Sequence, residues 1–313
     1  MRKNSFKAFF MVCVMCISVS ACGRNAASET VSETAETPSS TSCKNITVKS
    51  STLLECRFYN EKDFNMYDFQ SKAYDTDGEI RCGVVPHHLL AGRMIAGFFK
   101  TAAQNGSNID TVVIVAPIHD PKDDKLCTTL SDWKAPDGVL KTDADFSERF
   151  IKQLGAAEND EVLQSDHSAS ALIPFVKHYL PSASVACLLV AGNAGKNIPD
   201  KISELLSDFA EDKNCLFVFS VDFSHYLEPD NTRKHDEETL DAVMNCDLES
   251  IAAMNNDNMD SPICIGTFLR LAKSCGWTVS KLDHSNSLEI SQLPYTHPSF
   301  ANGLTSYFIF AAT

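Results

Sequence analysis

The sequence predicts an α/β protein, a single domain on a central mixed, largely parallel sheet flanked by helices. Three observations carry that expectation. Short apolar runs alternate with segments of helical periodicity along most of the chain. Three runs, Ile80–Val85, Thr111–Val115 and Leu216–Val221, are rich in Val, Ile, Leu and Phe, as buried parallel strands are. Each is followed closely by histidine: His87, His119 and His225. Ligands of open α/β sheets sit beyond the carboxyl ends of the strands, so these histidines stand where chemistry is placed.

The chain has 313 residues, 44% of them hydrophobic, and a formal charge of −14. That balance argues against nucleic acid or anionic lipid as the main partner. Residues 1–21 read as a lipoprotein signal peptide. Arg2, Lys3 and Lys7 give a basic start, and the apolar stretch Ala8–Val19 is too short for a standard membrane span. Val19-Ser20-Ala21-Cys22 then has the form of a bacterial lipobox, in which the Cys22 thiol takes the lipid. Residues 22–42, rich in Ser, Thr and Glu, cannot bury a core and read as a disordered tether. The expected product is a globular domain over residues 43–313, extracytoplasmic and lipid-anchored to a bacterial membrane. No CxxC pair occurs after Cys22, which argues against a structural zinc site. Cys187 and Cys215 lie in apolar runs as buried thiols, and Cys43 with Cys56 is the expected disulfide.

Residues 43–78 look irregular, with Val48–Cys56 as an edge strand. Ile80–Val85 is the first core strand, and Leu89–Asn105 follows at helical spacing until Asn105-Gly106 ends it. After the Thr111–Val115 strand, a loop rich in Asp, Lys and Pro runs to about Gly138. Asp145–Leu154 is a short helix with Asp143 or Asp145 near its N-cap. Ala169–Leu180 is a helix with an irregularity at Pro174. Ser184–Val190 is a strand, Pro199–Ala210 a helix and Leu216–Val221 a strand. Asp236–Met244, Leu248–Met254 and Pro262–Cys275 read as helices, then Trp277–Ser285 and Gly303–Ala311 as strands. No internal repeat is visible.

A neutral imidazole at a strand end is a common metal ligand. His87, fixed by Pro86, is such a residue, although a turn histidine satisfied by backbone reads the same way. His88 reads as a supporting residue. His119 repeats the pattern of His87. Neighbouring parallel strands lie about 4.8 Å apart, so two such histidines can converge on one ion. Asp222, three residues before His225, either orients it, faces the same cavity, or only forms a turn. His167 follows an acid, Asp166, that could fix its tautomer. His178, His235, His284 and His297 read as surface or packing residues. A facial site with two histidines needs a carboxylate, and Asp260 is the first choice, with an N-cap as its alternative role. Cys264 is the rival ligand, or else a core cysteine. There is no GxSxG, P-loop or GxGxxG.

The segments GVVPHHLLAG, VVIVAPIHDP, QSDHSASALIPFV, FVFSVDFSHYL, CIGTFLRLAK and GLTSYFIF, in that order, resemble the Memo-like family. Its bacterial members are called AmmeMemoRadiSam system protein B. The resemblance covers roughly residues 80–312 and implies a fold like that of the class III extradiol dioxygenases, α/β proteins with non-haem iron. It matches the family's APHAGY histidine to His87 and its GPSHH histidine to His119. It matches the SSDFSHW pair to Asp222 and His225, and the EHSxE motif to Asp166, His167 and Ser168. Aligning the family's Ile-Gly with Ile265-Gly266 puts Asp260 where the family has a metal-binding cysteine. The chain departs from the pattern there, at Leu89 and Leu90 in place of Gly and Tyr, and at Ser170 in place of the second acid.

The expectation is a mononuclear metal site of His87, His119 and Asp260, holding iron(II) first and copper second. His225 would act as acid or base, oriented by Asp222, with His167 assisting. Dioxygenase-type chemistry on a small, phenolic molecule follows from the resemblance. A non-catalytic metal-binding lipoprotein and a metal-dependent hydrolase are the alternatives.

Overall fold

The computed structural model describes residues 53–105, 108–120, 124–212 and 214–313. The signal, the lipobox Cys22, the tether and Cys43 lie outside the described residues. The bridge expected between Cys43 and Cys56 therefore falls outside the described residues. No helix among the described residues is long and apolar enough to cross a membrane.

The strands, in chain order, are β1 Leu54–Glu55, β2 Cys82–Val85, β3 Thr111–Pro117, β4 Leu126–Thr128, β5 Trp133–Ala135 and β6 Gly138–Leu140. There follow β7 Ala157–Glu158, β8 Ser184–Val190, β9 Cys215–Ser220, β10 Phe223–Leu227, β11 Val279–Asn286 and β12 Leu304–Ala312. Nine of them form one mixed sheet in the order β10-β12-β2-β9-β3-β8-β4-β7, with β11 paired to the outer side of β12. β2, β9, β3 and β8 are mutually parallel, whereas β12 runs antiparallel to β2, β10 and β11. The α/β class, with a large mixed sheet in a single domain, is as the sequence predicts. A small sheet, β1-β5-β6, lies apart.

Alternation along the central strands builds two cores, because successive side chains point to opposite faces. Val112, Ile114 and Ala116 of β3 join Leu216 and Val218 of β9 against the helices Gly92–Asn105 and Ile173–Tyr179. Val113, Val115, Phe217 and Phe219 face the helices Ile198–Asp212 and Pro262–Ser274. Gly83 of β2 is required by space, since a Cβ there would lie 2.3 Å from the Phe98 ring and 2.9 Å from the Phe310 carbonyl oxygen.

Several elements differ from expectation. Glu61–Gln70 is a helix, capped by Asn60, where an irregular segment was expected; its low amphipathicity hid it. The Asp145–Leu154 segment is an α-helix over Ala144–Arg149 that widens into a π-turn over Phe150–Leu154. Asp143 is its N-cap. Ala169–Leu180 is broken into His167–Ser170 and Ile173–Tyr179, with Pro174 tolerated in the first turn of the second helix. Helix Pro229–Met244 starts well before Asp236. Residues 223–227, expected as the turn after a strand, form β10.

Candidate metal centre

The strands that end near His87 and His119 are not neighbours. β9 lies between them, so their ends are roughly 9.6 Å apart. β9 ends at Ser220, a residue small enough to let the flanking loops close over it. The His87 and His119 ring centroids come to 5.1 Å.

His87 is buried, at 1% exposure. Its backbone N–H donates to Asp222 Oδ1 at 3.1 Å, and the next N–H, of His88, donates to the same oxygen at 3.4 Å. Ring Nδ1 is 3.0 Å from Ser220 Oγ, whose own hydroxyl donates to the Ser168 carbonyl at 2.5 Å. Ser220 therefore accepts from Nδ1–H, and Nε2 carries the free lone pair. Nε2 lies 3.1 Å from Asp260 Oδ2 and 3.6 Å from Asp222 Oδ2, close to both carboxylates but without hydrogen-bond geometry to either.

His119 is held by Asp166, the N-cap of the helix His167–Ser170. Asp166 Oδ2 accepts the His119 backbone N–H at 2.7 Å, and Oδ1 faces ring Nδ1 at 2.9 Å. An ionised carboxylate only accepts, so Nδ1 carries a proton, and in the neutral ring Nε2 is the bare nitrogen. Asp166 was expected to serve His167, but its oxygen is 3.9 Å from His167 Nδ1. The Ser168 hydroxyl donates to the Pro117 carbonyl at 2.7 Å and pins this helix to the end of β3.

His167 completes the cluster. Its ring stacks on His119 at 4.3 Å and meets His87 edge-on at 5.0 Å. Ligand atoms of His87, His119 and His167 all lie within 4.8 Å of one another, which makes them a candidate metal-binding group. Asp260 Oδ2 adjoins it, 3.8 Å from His119 Nε2. Its Oδ1 is buried with no partner. Three imidazoles, two of them with their tautomers set by buried acceptors, together with orphaned buried atoms, fit a transition-metal ion.

A model of the Memo-like protein family matches residues 57–299. The chain belongs to the Memo-like family. Its fold is thereby related to that of the class III extradiol dioxygenases. A MEMO1 family protein of Methanopyrus kandleri is 25% identical over 51% of this chain and 58% of its own length. One from Methanosarcina acetivorans is 23% identical over 54% of this chain and 63% of its own length. One from Aquifex aeolicus is 26% identical over 65% of this chain and 78% of its own. The chain thus spans about three fifths of the length of the first two of these relatives.

In this Memo-like chain the electrostatics divide the histidines. Burial works against charge on His119, yet the Asp166 and Asp260 carboxylates raise it to about 10. Burial opposes charge on His87 too, and Asp222 and Asp260 outweigh it, raising its pKa. His167 is lowered to about 4 by burial and by the neighbouring His87 and His119. Burial also lowers His225, with Asp260 and Asp222 opposing only in part. Asp260 and Asp166 are both held below the ordinary carboxylate range: burial would raise them, but their histidine partners prevail.

Asp222 was expected to orient His225. Its carboxylate instead receives the His87 and His88 backbones, and His225 Nδ1 is buried with no partner. Asp260 is not the helix cap, because Ser261 Oγ accepts from Cys264 N at 3.2 Å. Freed from capping, Asp260 is tied by backbone N–H to the Asp222 carbonyl at 3.0 Å and accepts from Asp222 N at 3.3 Å. Cys264 is fully buried, and burial pushes its thiol up to about 12, so it is a neutral core residue. A cleft of about 990 Å³ reaches Asp260 from outside, lined by Asn255, Asn256, Lys196 and Arg270 among others. Sequence reasoning missed Ser220 and the Tyr307 hydroxyl, which lies 2.7 Å from His88 Nδ1. Only the small residue after the FVF run hinted at the first. The remaining histidines take local partners, notably His284 with the buried Asp236 at 2.8 Å.

Proposed function

We propose that this chain holds one transition-metal ion at His87, His119 and His167, with Asp260 as the adjoining carboxylate, and acts on a small phenolic molecule with oxygen. The observation that carries this reading is the pair of imidazoles whose Nδ1 protons are committed to Ser220 and Asp166, so that in the neutral rings Nε2 of each is the nitrogen left to bind an ion. Iron(II) is the first candidate and copper the second, because imidazole and carboxylate donors suit both. When bound, the ion supplies Lewis acidity and access to oxygen chemistry. The chain's own residues do the rest. Asp166 and Ser220 orient the imidazoles. His225, kept neutral by burial, accepts the proton of an incoming phenolic hydroxyl. The cleft at Asp260 admits the molecule. With Cys22 lipidated, the domain works outside the cytoplasmic membrane.

Elemental analysis of anaerobically purified protein tests the site. About one equivalent of iron or copper is expected, lost in His119→Ala. Full retention of metal in that variant sinks the site. Metal content reduced in His167→Ala but kept in Asp260→Ala makes the ligand set three histidines; the reverse restores Asp260. Oxygen uptake across a panel of catechols tests the chemistry, and metal without uptake on any of them rejects it.

A further inference from the structure

Three non-glycine residues among those described have a positive φ: Tyr226 at 59°, Cys246 at 52° and Gln292 at 55°. Cys246 and Gln292 follow helices, where the left-handed conformation is ordinary. Tyr226 lies inside a strand, β10, where an aromatic residue has no backbone reason to adopt it. The pairing of β10 with β12 shifts register on both sides of His225. Irregularities of this kind re-aim side chains and recur beside active sites. Here the effect is visible. Successive side chains of a regular strand point to opposite faces, yet the His225 and Tyr226 rings are 5.6 Å apart. The packing holds this shape, because Gly303 lies so close that a Cβ on it would be 2.3 Å from the Tyr226 carbonyl carbon.

The Tyr226 side chain gains nothing from burial, being 68% exposed. Its neighbour His225 feels the charges of Asp260, Asp222, His87 and His119. The His225 backbone N–H donates to Asn256 O at 3.1 Å, and Asn256 and Asp260 both line the cleft. A strained backbone thus sets a solvent-facing aromatic ring beside His225. We propose that Tyr226 is a specificity-determining residue whose ring receives the planar ring of the substrate beside His225. Aromatic pairs gain from offset or edge contact beyond their buried area, which a non-aromatic chelator cannot use. This inference rests on the reading of the site as one for phenolic molecules.

The test separates ring from backbone. Tyr226→Gly and Tyr226→Asn both suit a positive φ, and Tyr226→Phe keeps the ring. Metal-loaded proteins are titrated anaerobically with 4-nitrocatechol and with oxalate, and their metal content and Tm are recorded. Tyr226→Gly and Tyr226→Asn are expected to bind 4-nitrocatechol at least tenfold more weakly, with oxalate affinity and metal content unchanged and Tm equal or higher. Tyr226→Phe should stay within twofold of the parent for both ligands. Parental 4-nitrocatechol affinity in the Gly and Asn variants overturns the proposal while leaving the phenolic reading intact, and so does an equal loss for oxalate. Failure of the metal-loaded parent to bind 4-nitrocatechol removes the phenolic reading and this proposal with it.

Discussion

One carboxylate, that of Asp166, takes both the backbone N–H and the ring Nδ1 of His119, at 2.7 and 2.9 Å. The first bond fixes where the residue stands and the second fixes which nitrogen is bare once the ring is neutral. Removing such a partner of a metal-binding histidine typically weakens metal binding about 10- to 100-fold. Asp166→Asn should do so, measured by competition with a chromophoric chelator. Parental affinity in that variant would show that His119 needs no orienting acid.

Cys264 should be dispensable for metal. Its thiol is pushed up to about 12 by burial and packs in the helix core. Cys264→Ala is expected to keep full metal content and to lose about 1 kcal/mol of stability, read from denaturant unfolding of the metal-free protein. Loss of the metal would return the ligand role to sulfur.

In metal-free protein the His119–Asp166 pair makes stability depend on pH. His119 is raised to about 10 in the folded state, against about 6.5 when unfolded. Its contribution is therefore full below about 6.5 and is lost as pH rises toward 10. Asp166 is depressed, so its contribution is present above its unfolded value of about 3.9 and lost as pH falls below that. The Tm of chelator-treated protein should decline from pH 7 to 10 more steeply than that of His119→Gln. Identical slopes would remove the pair as the cause.

Gly303 should not tolerate a side chain. Its φ is 92°, and a Cβ would meet the Tyr226–Leu227 peptide at 2.3 to 2.6 Å. Gly303→Ala is expected to cost about 2 to 4 kcal/mol from overpacking and left-handed strain together. An unchanged unfolding midpoint would mean that β10 moves freely against β12.

The parts of this molecule legible in the sequence are those set by local pattern. Thr111–Pro117 announces itself because a strand buried on both faces needs an unbroken apolar run. His87 and His119 follow from the rule that strand ends carry chemistry. What the sequence hides depends on distant segments. Nothing local marks Ser220 as a spacer between two histidines, since that role follows from strand order. His167 looks like an assistant until the short helix that carries it is seen pinned to Pro117. β10 reads as a turn because its partners lie in β12, far along the chain.

The position of β12 has a consequence for how the protein comes to be. β12 is the shared seam of β2, β10 and β11, and it follows all of them in sequence. Domains generally fold as units, and unpaired strand edges are aggregation-prone until they do. β2 and β10 precede in the chain the strand that closes them. β9 lies between β2 and β3, so the histidine cluster depends on β9, while the placement of His225 and Tyr226 depends on β12 as well. Exposure of an unclosed β2 edge before β12 pairs with it is a hazard that a holding chaperone would relieve.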